Sequence, residues 1–367
     1  QMKLGILGGG QLARMMVLAS ARLECRPVVY TPPGDNCVDG LCPITQKAFE
    51  DEQALRDFIL SCDRVTYEWE NIPVSKLKRA LEGVPERLFP RIETLEIMAD
   101  RNSQKTFFKN HDLPTAPFCS IGKALELEQA VLSMGFPGIL KTQREGYDGK
   151  GQKRVRNRED IIGAWEELGS VPLIFERFID FQRELSLVAC RSRAGEMRFY
   201  PLVENLHVNG ILRRTLAPAP VLSQKLIETA QTYAFRIGEL LDYVGVMALE
   251  LFQCGNKLLI NEMASRVHNT GHWTLDGAVT SQFENHLRAG LDLPLGDTQI
   301  RKPTAMLNLI GEIPALDFVK EQVPGLSIHL YGKKARPNRK LGHLNLTAES
   351  VQDLEKKLKQ VQLILGL

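Results

Sequence analysis

The chain has 367 residues, 44% of them hydrophobic and 25% charged, with a net charge of +2. Such a composition fits a globular protein of roughly two or three domains; its near-neutral charge gives no electrostatic ground for nucleic acid, and no apolar run approaches the roughly 20 residues a membrane helix needs. Cysteines at 25, 37, 42, 62, 119, 190 and 254 form no CxxC, and no histidine pair has zinc spacing, so free thiols in a reduced, cytosolic setting are expected.

Residues 2–7 read as a buried strand, entered at once with no signal-peptide pattern. Gly8-Gly9-Gly10-Gln11-Leu12-Ala13 follows and opens an apolar helix toward Ala21. This G-x-G-x-x-A at a strand-to-helix turn is the dinucleotide fingerprint. A nicotinamide enzyme would then carry an acid after the second strand, but Pro27–Tyr30 runs into Thr31-Pro32-Pro33. The turn is left as a site for another anion, as a substrate edge, or as a plain tight turn. Arg64–Tyr67 is a strand leading into Glu68-Trp69-Glu70-Asn71, at the end where open α/β sheets place ligands. The plainer alternative is a solvated loop in which Arg64, Glu68 and Glu70 pair with one another.

Asp100 is an expected N-cap for a helix through Asn110. Arg101 on it is either a surface charge or a phosphate contact. A domain boundary falls near 95–112. Helix 123–134, strand 138–142, strand 152–156, helix 158–168 and strands near 172–179 and 185–190 come next. Between the first two strands lies Lys141-Thr142-Gln143-Arg144-Glu145-Gly146-Tyr147-Asp148-Gly149-Lys150-Gly151-Gln152. Glycines let backbone N–H groups approach a polyanion, and lysines supply point charges, so the turn suits a triphosphate. Its spacing is not that of a P-loop, and a surface hairpin is the alternative. Glu176 and Glu184 flank a connector that could meet an adenine edge and ribose hydroxyls.

Strands at 245–252 and 257–263 carry Glu250 and Glu262. A three-residue turn at Gly255-Asn256-Lys257 pairs 250 with 262 on one face, where two carboxylates repel unless a cation such as Mg²⁺ sits between them. A two-residue turn would put them on opposite faces. Arg266, His268 and Asn269 follow, adding a cation and a possible general base. A helix at 280–291, a linker at 292–296, strands near 304–310 and 326–331 and a helix at 348–363 complete the chain. Lys333, Lys334, Arg336, Arg339 and Lys340 crowd into 333–340, as an anion site or a solvated loop.

In this order the motifs resemble the ATP-grasp ligases, and among them the N5-carboxyaminoimidazole ribonucleotide synthases. The resemblance runs nearly end to end. It is carried by Gly8–Leu12, Tyr67–Asn71, Arg144–Gln152, Asn261-Glu262, Arg266–Asn269 and the Arg336-Pro337 cluster. It implies an α/β chain with a Rossmann-like unit at 1–98, an ATP-grasp domain at 99–296 and a small β-rich domain at 297–367. The implied reaction is Mg²⁺-dependent carboxylation of 5-aminoimidazole ribonucleotide by ATP and bicarbonate through carboxyphosphate, in the cytoplasm, by a homodimer, with no nucleic-acid or membrane partner.

The resemblance also assigns roles. Arg101, Lys141 and Gly146, Tyr147, Asp148, Gly149, Lys150, Gly151 and Gln152 would bind phosphates. Glu176, Arg177, Phe178 and Ile179 would meet adenine, Glu184 the ribose, and His207 and Asn261 other parts of the nucleotide. Glu250 and Glu262 would hold Mg²⁺. Tyr147, Asp148, Lys150, Arg266 and His268 would act in carboxylation. Gln11, Lys333, Arg336 and Arg339 would bind the ribonucleotide. Asn338 stands where the family reads Gly, and it tolerates positive φ well enough to keep the turn. Ser265 stands where the family commonly has Pro. Rival readings are another ATP-grasp ligase, a nicotinamide oxidoreductase, or a non-catalytic nucleotide-binding protein.

Overall fold

A computed structural model describes all 367 residues. The first unit is a parallel sheet of β1 (Lys3–Leu7), β2 (Arg26–Thr31), β3 (Ile44–Gln46) and β4 (Arg64–Tyr67) in the order β3-β2-β1-β4. Its strands are apolar on both faces, as a parallel sheet covered on two sides requires. Leu4 and Ile6 enter one core, and Leu7, Val65 and Tyr67 another. The C-terminal ends of β1 and β4 therefore face the rest of the molecule with the glycine turn and Glu68–Glu70.

A small antiparallel sheet follows, of β5 (Phe118–Ile121), β6 (Gly138–Thr142), β7 (Gln152–Val155) and β8 (Leu173–Arg177), in the order β5-β8-β6-β7. The larger sheet holds β9 (Arg183–Arg191), β10 (Met197–Phe199), β11 (Val203–Val208), β12 (Ile211–Ala217), β13 (Gly245–Cys254), β14 (Lys257–Ala264), β15 (Thr304–Ile310), β16 (Leu326–Leu330) and β17 (Lys340–Thr347). Its order is β14-β13-β9-β11-β12-β15-β17-β16, with β10 on β9. The last three strands thus extend the central sheet through β12–β15 pairing rather than forming a sheet of their own. No helix is long and apolar enough to cross a membrane.

Several segments depart from the sequence reading. Helix 158–168 is a 3-10 turn, Arg158–Ile161, and a short helix, Ala164–Glu167, broken at Gly163 with φ +71°. Strands β10 to β12 and the helix Gln224–Leu241 were not anticipated. Nor was β17, whose His343 and Asn345 are fully buried, so no polar face marks the alternation.

The first unit docks on the central sheet through polar and apolar contacts. His286 Nδ1 accepts from Val246 N at 2.9 Å, and its Nε2 lies 2.8 Å from Thr66 Oγ1. The tip of the Phe89 ring packs on Gly290 of the helix Gln282–Gly290, where a Cβ would overlap it. Both residues are buried, so the ring has little room to retreat. Gly290→Ala is expected to lower stability by about 1–3 kcal/mol through overpacking, measured by chemical denaturation.

Candidate active site

The β13–β14 hairpin closes with two turn residues, Gly255 and Asn256, since Cys254 pairs with Lys257. The expected three-residue turn is therefore incorrect. On its own, the shorter turn would set Glu250 and Glu262 on opposite faces. A β-bulge in β14 leaves Asn261 unpaired opposite the Glu250–Leu251 step, and Glu250 pairs directly with Glu262. The two acids face each other by a route other than the predicted one. Burial and the neighbouring Glu262 charge drive the Glu250 carboxyl well above the usual range. Burial also opposes ionisation of Glu262, but a hydrogen bond from Glu250 and the charges of Arg101 and Lys141 hold it low. The pair therefore shares one proton.

The row of polar groups continues across adjoining strands. Glu184 on β9 accepts from His207 Nδ1 at 2.9 Å, and His207 Nε2 on β11 lies 3.8 Å from Glu250. Below the row is a buried ion cluster. Lys141 donates to Glu176 Oε2 at 2.7 Å, and Lys105 Nζ lies 3.7 Å from Oε1. Lys105 also donates to Thr115 Oγ1 at 2.8 Å. Burial carries the Lys105 ammonium down to about 8, against the pull of Glu176. Glu176 Oε1 is buried and has no hydrogen-bond partner. The Arg177 and Phe178 N–H groups bond to Pro117 O and Pro137 O. Ile179 follows them, half-buried.

The glycine-rich turn folds over this site. Arg101 donates to Thr142 O at 3.0 Å and Gly146 O at 2.8 Å, so it shapes the turn from beneath. Asp100 caps its helix through Ser103 N, as expected. Gly149, at φ +79°, lies against the Asn209-Gly210 turn, and a Cβ there would fall 2.6 Å from Asn209 O. Gly151 lies over Thr142, and Gln152 Nε2 reaches toward Gly210. Tyr147 is exposed with the Lys150 ammonium 4.9 Å over its ring. Asp148 is tied to Lys340 of β17 at 2.8 Å. Lys105 was not singled out in the sequence, and Lys340 stood there only as one cation of the basic run. Lys105 lies four residues after Arg101 on one helix face, a spacing that could have revealed it.

Beside this site lies a cavity of about 700 Å³. Its walls include the Gly8–Gly10 turn, Asp35, Trp69, Lys333, Lys334 and Arg339. Glu68 accepts from Gly10 N at 3.0 Å, and Gly8, at φ +108°, would bring a Cβ within 2.5 Å of its carboxyl. The acid thus occupies the donors that a dinucleotide pyrophosphate would need. Arg336 stands 4.0 Å from Asp35, and Gln11 opens the first helix outside the cavity lining. Asn338 adopts φ +61°, so the turn survives without glycine. Arg64 pairs with Asp292 and Glu70 with Arg266, not with each other.

Arg266 and His268 sit between the two sites. Thr270 N donates to His268 Nδ1 at 3.1 Å. Burial, with Arg266 and Lys340 nearby, drives the ring down to about 3. The neutral ring therefore carries its hydrogen on Nε2 and offers a donor there.

Lys105 gives a pH signature. The folded side chain holds its proton only below about pH 8, whereas the unfolded one keeps it to about 10.5. Between these values the unfolded chain binds the extra proton, so this group raises stability with pH, by about 3 kcal/mol over the window. Lys105→Met is expected to remove that rise, read from denaturation curves at pH 8 and 10 beside the wild type.

Comparison with known proteins adds to this geometry. The ribonucleotide synthetase preATP-grasp domain family matches residues 1–99, the ATP-grasp domain family 106–283, and the phosphoribosylaminoimidazole carboxylase C-terminal domain family 304–357. The chain is 42% identical over 364 residues to the N5-carboxyaminoimidazole ribonucleotide synthase of Pseudomonas aeruginosa, covering 99% of each. It is similar to the crystal structure of N5-carboxyaminoimidazole ribonucleotide synthetase from Thermus thermophilus, with TM-score 0.92, 47% identity and 99% of each chain covered. The Aspergillus clavatus N5-carboxyaminoimidazole synthase, solved with ADP and 5-aminoimidazole ribonucleotide, aligns at TM-score 0.91 and 30% identity over 100% of this chain and 99% of that one.

Proposed function

The chain belongs to the N5-carboxyaminoimidazole ribonucleotide synthase family of ATP-grasp ligases, and on that premise we propose that it carboxylates the exocyclic amine of 5-aminoimidazole ribonucleotide with ATP and bicarbonate, in purine biosynthesis. The observation that carries this reading is one cover serving two sites. Asp148, in the glycine-rich turn whose Gly146 O is held by Arg101, is latched by Lys340, seven residues beyond the cavity-lining Lys333.

In this reading a bicarbonate oxygen forms a bond to the γ-phosphorus, and the bond to ADP breaks. The carboxyphosphate so made loses phosphate and leaves CO₂. The amine nitrogen bonds to that carbon and releases a proton. Lys141, Lys150 and the N–H groups of the glycine-rich turn hold the phosphates, while Arg101 fixes the turn. The free oxygen of Glu176 accepts from the adenine amine, Glu184 from the ribose, and His207 and Asn261 border the nucleotide. Arg266 and the His268 Nε2–H bind the carboxyl oxygens, and Asp148 faces the amine. Lys333, Lys334 and Arg339 take the ribonucleotide phosphate. The closed cover keeps water from the labile carboxyphosphate.

Glu250 and Glu262 are two hard oxygen donors sharing one proton, and no group of three or more candidate metal ligands occurs. That set fits an ion that completes its shell from nucleotide phosphates, as Mg²⁺ does. When bound, Mg²⁺ neutralises charge on the transferred phosphoryl group. Seven free cysteines support a reducing, cytoplasmic setting, and the homodimer rests on the family resemblance.

Protein incubated with ATP, MgCl₂ and bicarbonate is expected to release phosphate in a manner dependent on 5-aminoimidazole ribonucleotide; release that ignores the ribonucleotide would overturn the reading. Glu262→Gln is expected to lower turnover by at least about 100-fold with an unchanged unfolding midpoint, and a wild-type rate in that variant would remove the metal assignment.

A further inference from the structure

The first unit touches the chemistry through a relay that the roles above leave unused. Tyr67 is fully buried at the end of β4, with its hydroxyl 2.9 Å from Ser265 Oγ. Ser265 in turn donates twice to one oxygen of Glu70, from its backbone N at 2.8 Å and its Oγ at 2.9 Å. An ionised carboxylate only accepts, so the hydroxyls run in one direction, from Tyr67 through Ser265 to Glu70. The other Glu70 oxygen lies 3.3 Å from Arg266 Nε. Arg266 Nη1 is held by Val267 O at 3.0 Å. One guanidinium nitrogen is thus hydrogen-bonded and a second lies in ion-pair contact with Glu70, and together these contacts orient the planar fork.

The position of this guanidinium matters on both sides. Its charge acts on Glu68, which lines the cavity, and on His268 beside the nucleotide site. Glu70 and Tyr67 come from the first unit, whereas Ser265 and Arg266 follow β14 directly, three and four residues after Glu262. Ser265 is the residue that supplies both donors. A residue without a backbone N–H there would leave Glu70 held by Arg266 alone.

We propose that Glu70 is a positioning residue for the carboxylation step: locked by Tyr67 and Ser265, it sets the Arg266 guanidinium between the two sites and couples docking of the first unit to turnover. This rests on the placement of Arg266 in the carboxylation site given above. The relay removes rotational freedom that a long cation would otherwise keep, in the way that partners behind a reacting group hold it in register.

A double-mutant cycle tests it, with steady-state rates for Glu70→Gln, Arg266→Lys, the double variant and Ser265→Ala. Glu70→Gln is expected to lower kcat about 10- to 100-fold while KM for ATP changes by less than about 2-fold. Ser265→Ala, which keeps the backbone N–H, is expected to cost less, about 3- to 10-fold in kcat, and decides the matter if Glu70→Gln does not fold. The double variant is expected to be no slower than Arg266→Lys alone, because the two losses are one loss. Losses that multiply would overturn the proposal, since a merely structural Glu70 acts independently of Arg266. Full kcat in Glu70→Gln and in Ser265→Ala, with Arg266→Lys impaired, would also overturn it while leaving the site assignment intact. Full kcat in Arg266→Lys would instead remove that assignment.

Discussion

Two carboxylates are pressed together because one strand carries a residue too many. The bulge at Asn261 turns an unfavourable register into a facing pair, and the strain of like charges is relieved by a shared proton and by Arg101 and Lys141. Polar and charged groups surround the pair on three sides. β9 and β11 continue the polar row, the ion cluster of Lys105, Glu176 and Lys141 lies beneath, and the glycine-rich turn lies above. A bulge is a local feature, yet here it decides which face of the sheet carries the chemistry.

Much of this was legible along the chain. The glycine turn, the lysine-flanked cover and the acids at 250 and 262 stand out by composition and spacing. The nicotinamide reading was weakened by the missing acid after Tyr30, and the structure supplies a second reason, since Glu68 occupies the Gly10 donor. What stayed hidden depended on distance. Lys105 reads as a helix-surface cation until β6 and β8 bring Lys141 and Glu176 onto it. Lys340 reads as one of a basic run until Asp148, 192 positions away, closes on it. The hairpin shows the limit most clearly. Its facing acids were reached through a wrong turn length, because a bulge leaves no periodic trace.

The glycine-rich turn and the tail are also joined through backbone and charge. Arg101 holds the turn by its carbonyls, and the turn holds Lys340, which begins the strand next to β15 and β16. The cover is therefore tied to the tail side as well as to the central sheet. His268 fits this arrangement as a donor, its Nδ1 being engaged by Thr270 N.

The joining of β12 to β15 bears on how such a chain can vary. A tail that merely docked could be exchanged between relatives like a separate cap. Here its removal would strip β12 of a neighbour and bare a full row of amide and carbonyl groups, an invitation to intermolecular pairing. Diversity in what the tail recognises is thus confined to the connectors between its strands, where side chains can change while the ladder stays whole.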